Sequence, residues 1–205
     1  MSLLRKAHRA RIGLLDRIRR IRRSESGIAA VEFAMVVPLM FFLFVGAVEF
    51  SQALTVDRRV TQSASATADL IARTDRVSLA AVDNTLKIVE QLIQPYDTSA
   101  LTVSVISVKA SASGGPSPNI TVDWSRNNKG ATPYSAGAAY PHIPAGLLIA
   151  GEWVIVGEAI YNYTPLIFNY FITSAFSMEE RFFLKPRQKS CVSLEPINCA
   201  TGNPF

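Results

Sequence analysis

The chain is short of the residue types that most enzymes and nucleic-acid binders depend on. It has only two histidines, and His142 is the one in the body of the chain. It contains no G-x-x-x-x-G-K loop to cradle a phosphate, no H-E-x-x-H metal pair and no G-x-S-x-G nucleophile turn. No cofactor is implied by its motifs, and catalysis is not expected. A carboxylate pair remains the open enzymatic alternative, since Asp and Glu are common. Cysteine is equally scarce: Cys191 and Cys199 are the only two, both near the C-terminus. Neither His8 nor His142 lies near them in sequence, so no metal site is expected. Internal repeats are lacking.

A basic body is also lacking, although the formal net charge is +5. Residues 1–26 hold nine of the 21 basic side chains, from Arg5 to Arg23, against Asp16 and Glu25, a net +7. The remaining 12 basic and 14 acidic residues leave −2, so the basicity belongs to a tail. That distribution, without the aromatic platforms that accompany single-strand binding, excludes nucleic acid as the expected partner. Within the tail, Ile12, Leu14, Leu15, Ile18 and Ile21 have helical spacing. Two readings stand: an amphipathic helix on anionic headgroups, or a mobile basic leader.

What the chain does have is one long apolar run. Residues 28–48, IAAVEFAMVVPLMFFLFVGAV, contain a single ionisable side chain, Glu32. At about 1.5 Å per residue, these 21 residues span the roughly 30 Å hydrocarbon core of a bilayer as a helix. A helix is the one single-segment structure that satisfies its own backbone in lipid. The arginine-rich flank keeps the N-terminus cytoplasmic, which places the rest of the chain on the other side. Residues 146–156 are interrupted by Glu152, and residues 165–176 are too few to cross, fitting core or an interfacial loop instead. The expected organisation is a basic leader over 1–27, a transmembrane helix over 28–48 and an extracytoplasmic domain over 49–205, with a C-terminal loop over 186–205. Glu49 falls at the outer boundary, where a carboxylate is readily hydrated.

Past the membrane the helix continues. Phe50, Ala53, Val56, Val60, Ala64, Ala68 and Ile71 recur every three or four residues, a narrow stripe of mostly small side chains. The Ser/Thr/Ala stretch over 61–68 is marginal as a lone helix and needs a partner surface, in its own domain or a neighbouring subunit. A second helix is expected over 79–94, capped by Ser78 and stopped by Pro95, with Leu79, Val82, Leu86, Val89 and Ile93 on its core face. Strands follow over 101–109, 119–125, 152–163 and 180–185. The alternation in 119–125 puts Ile120, Val122 and Trp124 on one face; in 152–163, Trp153, Ile155, Ala159 and Tyr161 share a face. The short connections favour an antiparallel sheet and an α+β class. Residues 126–150 read as an irregular loop that binds something or is disordered.

The most informative segment is RRSESGIAAVEFAMVVP. Gly27 stands at the cytoplasmic edge of the apolar run, and Glu32 follows five residues later. A cut after Gly27 makes Ile28 the first residue of the mature chain and Glu32 the fifth. This resembles the processing site of type IV prepilins. The continuation EFAMVVPLM, an apolar run and GAVEFSQAL is similar to the TadE-like family of tight-adherence pilus assembly proteins over about residues 24–54.

The resemblance implies Gly27 and Ile28 as the processing site, Glu32 and Pro38 as residues of the assembly motif, and a pilin-like fold. It implies a minor pilin or pseudopilin-like role in the bacterial inner membrane. The implied partners are a prepilin peptidase, other pilin-like subunits and pilus assembly machinery. A carboxylate at the centre of a span costs about 2.5–3.5 kcal/mol on insertion scales and usually has a partner or a function. The α-amine released at Ile28 is a candidate partner for Glu32 of an adjacent subunit. The other reading is a shallow Glu32 hydrated by headgroups. Pro38 withholds a backbone donor near Ala34. Outside the cytoplasm Cys191 and Cys199 can close a small disulfide loop; two free thiols are the alternative if the topology is inverted.

Beside the enzymatic alternative, three rival readings remain. Residues 51–53, Ser-Gln-Ala, pass for a signal-peptidase site, so a secreted protein with an atypical signal peptide is one. The sequons at Asn119 and Asn162 would suit a eukaryotic receptor. An uncleaved single-pass envelope protein with a binding domain is the third.

Overall fold

The computed structural model describes residues 26–111, 118–165 and 176–204. The basic leader, the 112–117 turn and all but the ends of the apolar 165–176 segment lie outside the described residues. The chain divides into two units, Met1–Phe50 and Ser51–Phe205.

In the first unit the described residues are all helical. They open α1, which runs Ser26–Ala72 and continues through Pro38. Apolar side chains occur on every side of this stretch, and from Ile28 to Phe44 they are exposed.

The second unit is α+β. It holds the rest of α1, α2 (Leu79–Glu90), and the strands β1 (Arg76–Val77), β2 (Leu101–Ala110), β3 (Ile120–Asn127), β4 (Trp153–Tyr163), β5 (Phe176–Leu184) and β6 (Ser193–Leu194). Four strands form one antiparallel sheet in the order β3-β2-β4-β5. β1 and β6 form a separate two-residue parallel pair.

The central strands are apolar on both faces because both are covered. On one face Leu101, Val103, Val105, Ile155 and Ala159 pack against the two helices. On the other, Ile106, Val108, Val154 and Val156 pack beneath Tyr140 and Leu148. Those two come from the 126–150 segment, so the expected binding or disordered loop is instead a lid of core. Its side chains replace a second helical layer.

The sheet-facing stripe of α1 is Val56, Val60, Ala64, Ala68 and Ile71, all buried. Their partner surface is their own domain. Phe50 does not share it and is exposed. The Ser/Thr hydroxyls of this stretch return to the helix backbone: Ser63 donates to Arg59 O at 2.9 Å and Thr67 to Ser63 O at 2.8 Å. That is how two polar residues reside in the core without orphan groups. Contact with the sheet is very close at Gly157, where a Cβ would lie 2.1 Å from Ala64 O and 2.9 Å from Ala68 N. Only glycine lets the helix backbone approach there.

α2 is shorter than its sequence pattern. It ends at Glu90, and a 3-10 turn, Gln91–Ile93, carries the chain on to Pro95. The Ser78 side chain caps it, accepting from Ala81 N. Val82, Leu86, Val89 and Ile93 are buried, whereas Leu79 is exposed. Arg59 takes up carbonyls of this end: its guanidinium donates to Leu92 O at 2.9 Å and to Gln94 O, and lies over the Tyr96 ring. These end carbonyls, which have no helical donor, are thus satisfied from α1.

β3 corrects a second expectation. Its register shifts at Asp123, so that Ser107 faces Trp124 while Val108 faces Val122. The extra residue turns Trp124 to the helix face, and Val122 stays on the loop face. Strict alternation had them together. β5 also begins earlier than its sequence pattern, at Phe176.

Candidate membrane and processing segment

Gly27, Ile28, Glu32 and Pro38 all lie on α1. Gly27 is the second residue of the helix, and a Cβ there would meet nothing within 4 Å. Its place is therefore not demanded by packing. Ile28 is 62% exposed and Glu32 is exposed, one helical turn apart and so on the same side. Among the described residues Glu32 has no ion-pair partner. Ile28, Met35 and Val36 neighbour it on the helix, and Phe33, Leu39 and Phe41 to Phe44 carry the exposed apolar surface round the rest of the run. An apolar surface that continues right round a helix is not the pattern of a helix lying against a globular core. Among the described residues, one helix, Gly27–Ala72, is long and apolar enough to cross a membrane.

Glu49 differs from its expected role. It is buried at 7% exposure, so it is not the hydrated boundary carboxylate the sequence suggested.

In the second unit the sulfurs of Cys191 and Cys199 are bonded, with their Cα atoms 6.2 Å apart. The loop they close surrounds β6. Backbone bonds tie this tail down: Ser193 N donates to Asp75 O, Glu195 N to Val77 O and Arg187 N to Ala72 O. The Trp124 indole, turned by the bulge, donates to Val192 O at 2.9 Å. The tail and the Asp123 bulge flank a cleft of about 650 Å³ that Lys109, Trp153 and Asn198 also line. Burial pushes the Asp123 carboxyl above its ordinary value, while nearby Lys109 pulls it back.

Two polar groupings escaped the sequence. Glu158, 3% exposed, accepts from Arg181 Nε at 2.7 Å and from the Tyr134 hydroxyl at 3.2 Å. This buried carboxylate clamps the 126–150 segment onto the sheet. Arg126 forks onto Asp83 at 2.7 and 2.8 Å, joining β3 to α2 and holding the Asp83 carboxyl below its ordinary value. The strand-interior Gly157 was a further signal for the helix–sheet contact, beside the small-residue stripe of α1. His142 packs edge-on against Tyr140, their rings 5.6 Å apart. Among the described residues no three His, Cys, Asp or Glu side chains converge as a metal site.

The first unit thus defines a class: a helix fit for a membrane, with a small residue at its start and a carboxylate one turn in. Residues 27–69 match the family described as TadE-like protein. The match begins at Gly27 and runs past the expected limit near residue 54 into the stripe buried against the sheet. Over this segment the chain is similar to TadE-like proteins. Neither the curated proteins nor the solved structures contain a match to it.

Proposed function

We propose that this chain is a minor pilin-like component of a tight-adherence pilus, cut after Gly27 by a prepilin peptidase and anchored in the bacterial inner membrane. The arginine-rich flank stays in the cytoplasm, and the α+β domain lies in the periplasm. The observation carrying this reading is the placement of exposed Gly27, Ile28 and Glu32 at the start of a helix whose first half is apolar all round. Cleavage releases a new α-amine at Ile28, and Glu32 of a neighbouring subunit neutralises it in lipid. Intact-mass analysis of protein from native membranes tests the cut. The expected mature chain begins at Ile28, and Gly27→Leu blocks its formation by filling a space that needs a small residue. A full-length chain in cells with active peptidase contradicts the reading.

The Cys191–Cys199 bond forms after export in this account. The tryptic peptide following Lys189 carries both cysteines and is two hydrogens lighter until reduced. Alkylation of both thiols without reduction rejects it.

The cleft beside Asp123 favours one second reading, an uncleaved envelope protein whose domain binds a ligand. The same mass measurement separates the two.

A further inference from the structure

The cleft between the sheet and the disulfide-held tail is lined by polar groups that the fold leaves unused. Trp124 and Trp153 line it from the sheet, Ile197 and Asn198 from the tail, and Lys109 and Asp123 lie among them. Trp124 is committed, since its indole donates to Val192 O at 2.9 Å. Lys109 and Asp123 are not. Both are half-buried, and among the described residues neither makes a hydrogen bond or an ion pair. Burial raises the Asp123 carboxyl, and Lys109 is near enough to draw it back. Asn198 accepts from Ala200 N at 3.0 Å through its Oδ1, and its NH2 group has no partner among the described residues. Cys199, next in sequence, is bonded to Cys191 and fixes this wall of the cleft.

We propose that this cleft binds a short neutral oligosaccharide. The proposal rests on the ligand-binding reading of the cleft and is independent of cleavage after Gly27. A carboxylate only accepts hydrogen bonds, whereas an ammonium and an amide NH2 only donate them. One ligand that serves both kinds needs neighbouring groups that each donate and accept. The vicinal hydroxyls of a sugar are such groups, and they bridge Asp123 to Lys109, which do not reach each other. Lys109 and Asp123 are the only charged residues lining the cleft, and their charges cancel. Neither an anion nor a cation is therefore favoured. The remaining surface is apolar, with the Trp153 ring and the 52% exposed Ile197 on it. Water would satisfy the polar groups but leave that apolar surface wet; the C–H face of a sugar ring covers it. The volume of about 650 Å³ falls within the roughly 300–1,000 Å³ of small-ligand sites.

Both tryptophans of the chain line the cleft, so intrinsic fluorescence reads its occupancy. The full-length protein, in a detergent without a sugar headgroup, is titrated with maltotriose, cellotriose and chitotriose. Alanine serves as a zwitterionic probe of the Lys109 and Asp123 charges. The expected result is a saturable change with at least one of the sugars and none with alanine. Asp123→Asn and Lys109→Met should each weaken that binding about tenfold, as loss of a hydrogen bond to a charged group does. Asp123→Asn should do so without lowering Tm, because the fold makes no hydrogen bond to this carboxylate. Glu180→Gln, on β5 and outside the cleft, should bind as the parent does. A response to alanine would overturn the sugar while keeping a ligand site. Silence to all four probes would overturn the ligand-binding reading itself and leave cleavage untouched. Full affinity in both cleft variants, or an equal loss in Glu180→Gln, would overturn the roles given to Lys109 and Asp123.

Discussion

The two halves of α1 share one backbone geometry and differ in what their side chains meet. Between Ile28 and Phe44 the helix carries large apolar groups on every side, and Phe33 and Met35 are 70% and 74% exposed. Between Val56 and Ala72 the apolar groups narrow to a stripe of valines and alanines that is completely covered. The first pattern suits a solvent that is apolar in all directions, and the second suits a flat surface on one side. Size follows the same division. Lipid accepts Phe and Met of any shape, whereas the sheet at Gly157 accepts only a helix built of small residues at Ala64 and Ala68.

The largest break in this comparison falls on the first half. Leu39→Lys with Phe42→Lys puts two ammonium groups near the middle of the run and costs about 5 kcal/mol or more of insertion free energy. The protein is expected to leave the membrane fraction on cell fractionation. Arg181→Met acts on the sheet instead: it leaves the buried Glu158 carboxylate without its cation, and about 3–5 kcal/mol of domain stability is lost. Denaturant unfolding of the full-length protein in detergent reads this, and membrane insertion should be unaffected.

Gly157→Ala breaks the second half of α1 specifically. The new methyl would collide with backbone at Ala64, which cannot yield as a side chain does. A loss of about 3 kcal/mol is expected in the same unfolding assay. A neutral Gly157→Ala would mean that helix and sheet are not in this close contact.

Asp123→Asn has the smallest effect and the opposite sign. Burial holds the folded-state pKa of Asp123 above its ordinary value of 3.8. Folding therefore favours its protonated form, and the carboxylate's cost is absent below 3.8 and grows as pH rises through the folded value. Asp123→Asn should raise Tm at pH 7, with a gain that shrinks on acidification and vanishes below 3.8.

The helical half of this fold could be read from spacing because helices declare their partners locally. Val56 to Ile71 and Val82 to Val89 were legible as stripes, and the α+β class followed from what came after them. The misses are places where something other than regular spacing decided the outcome. After Glu90 α2 tightens into a 3-10 turn, and Arg59, far along the chain, holds the carbonyls of Leu92 and Gln94. Val122 and Trp124 separate because one inserted residue, Asp123, reverses the alternation. The 126–150 segment looked irregular and is, but Tyr140 and Leu148 are core all the same. Of the candidate site, Gly27, Glu32 and Pro38 were visible as a spacing on an apolar run, and the family match covers them. The burial of Glu49 was not visible, since position in sequence says nothing of a neighbour's reach.

As proposed above, the apolar half of α1 supplies insertion, while Glu32 within it serves assembly. The most direct test counts surface pili on cells carrying Glu32→Ala, normalised to the amount of protein in the membrane. Removing a carboxylate from the span should leave insertion unchanged or slightly better. The account predicts normal membrane level and topology with surface pili lost. Normal piliation at normal membrane level would contradict it and leave Glu32 a tolerated shallow charge.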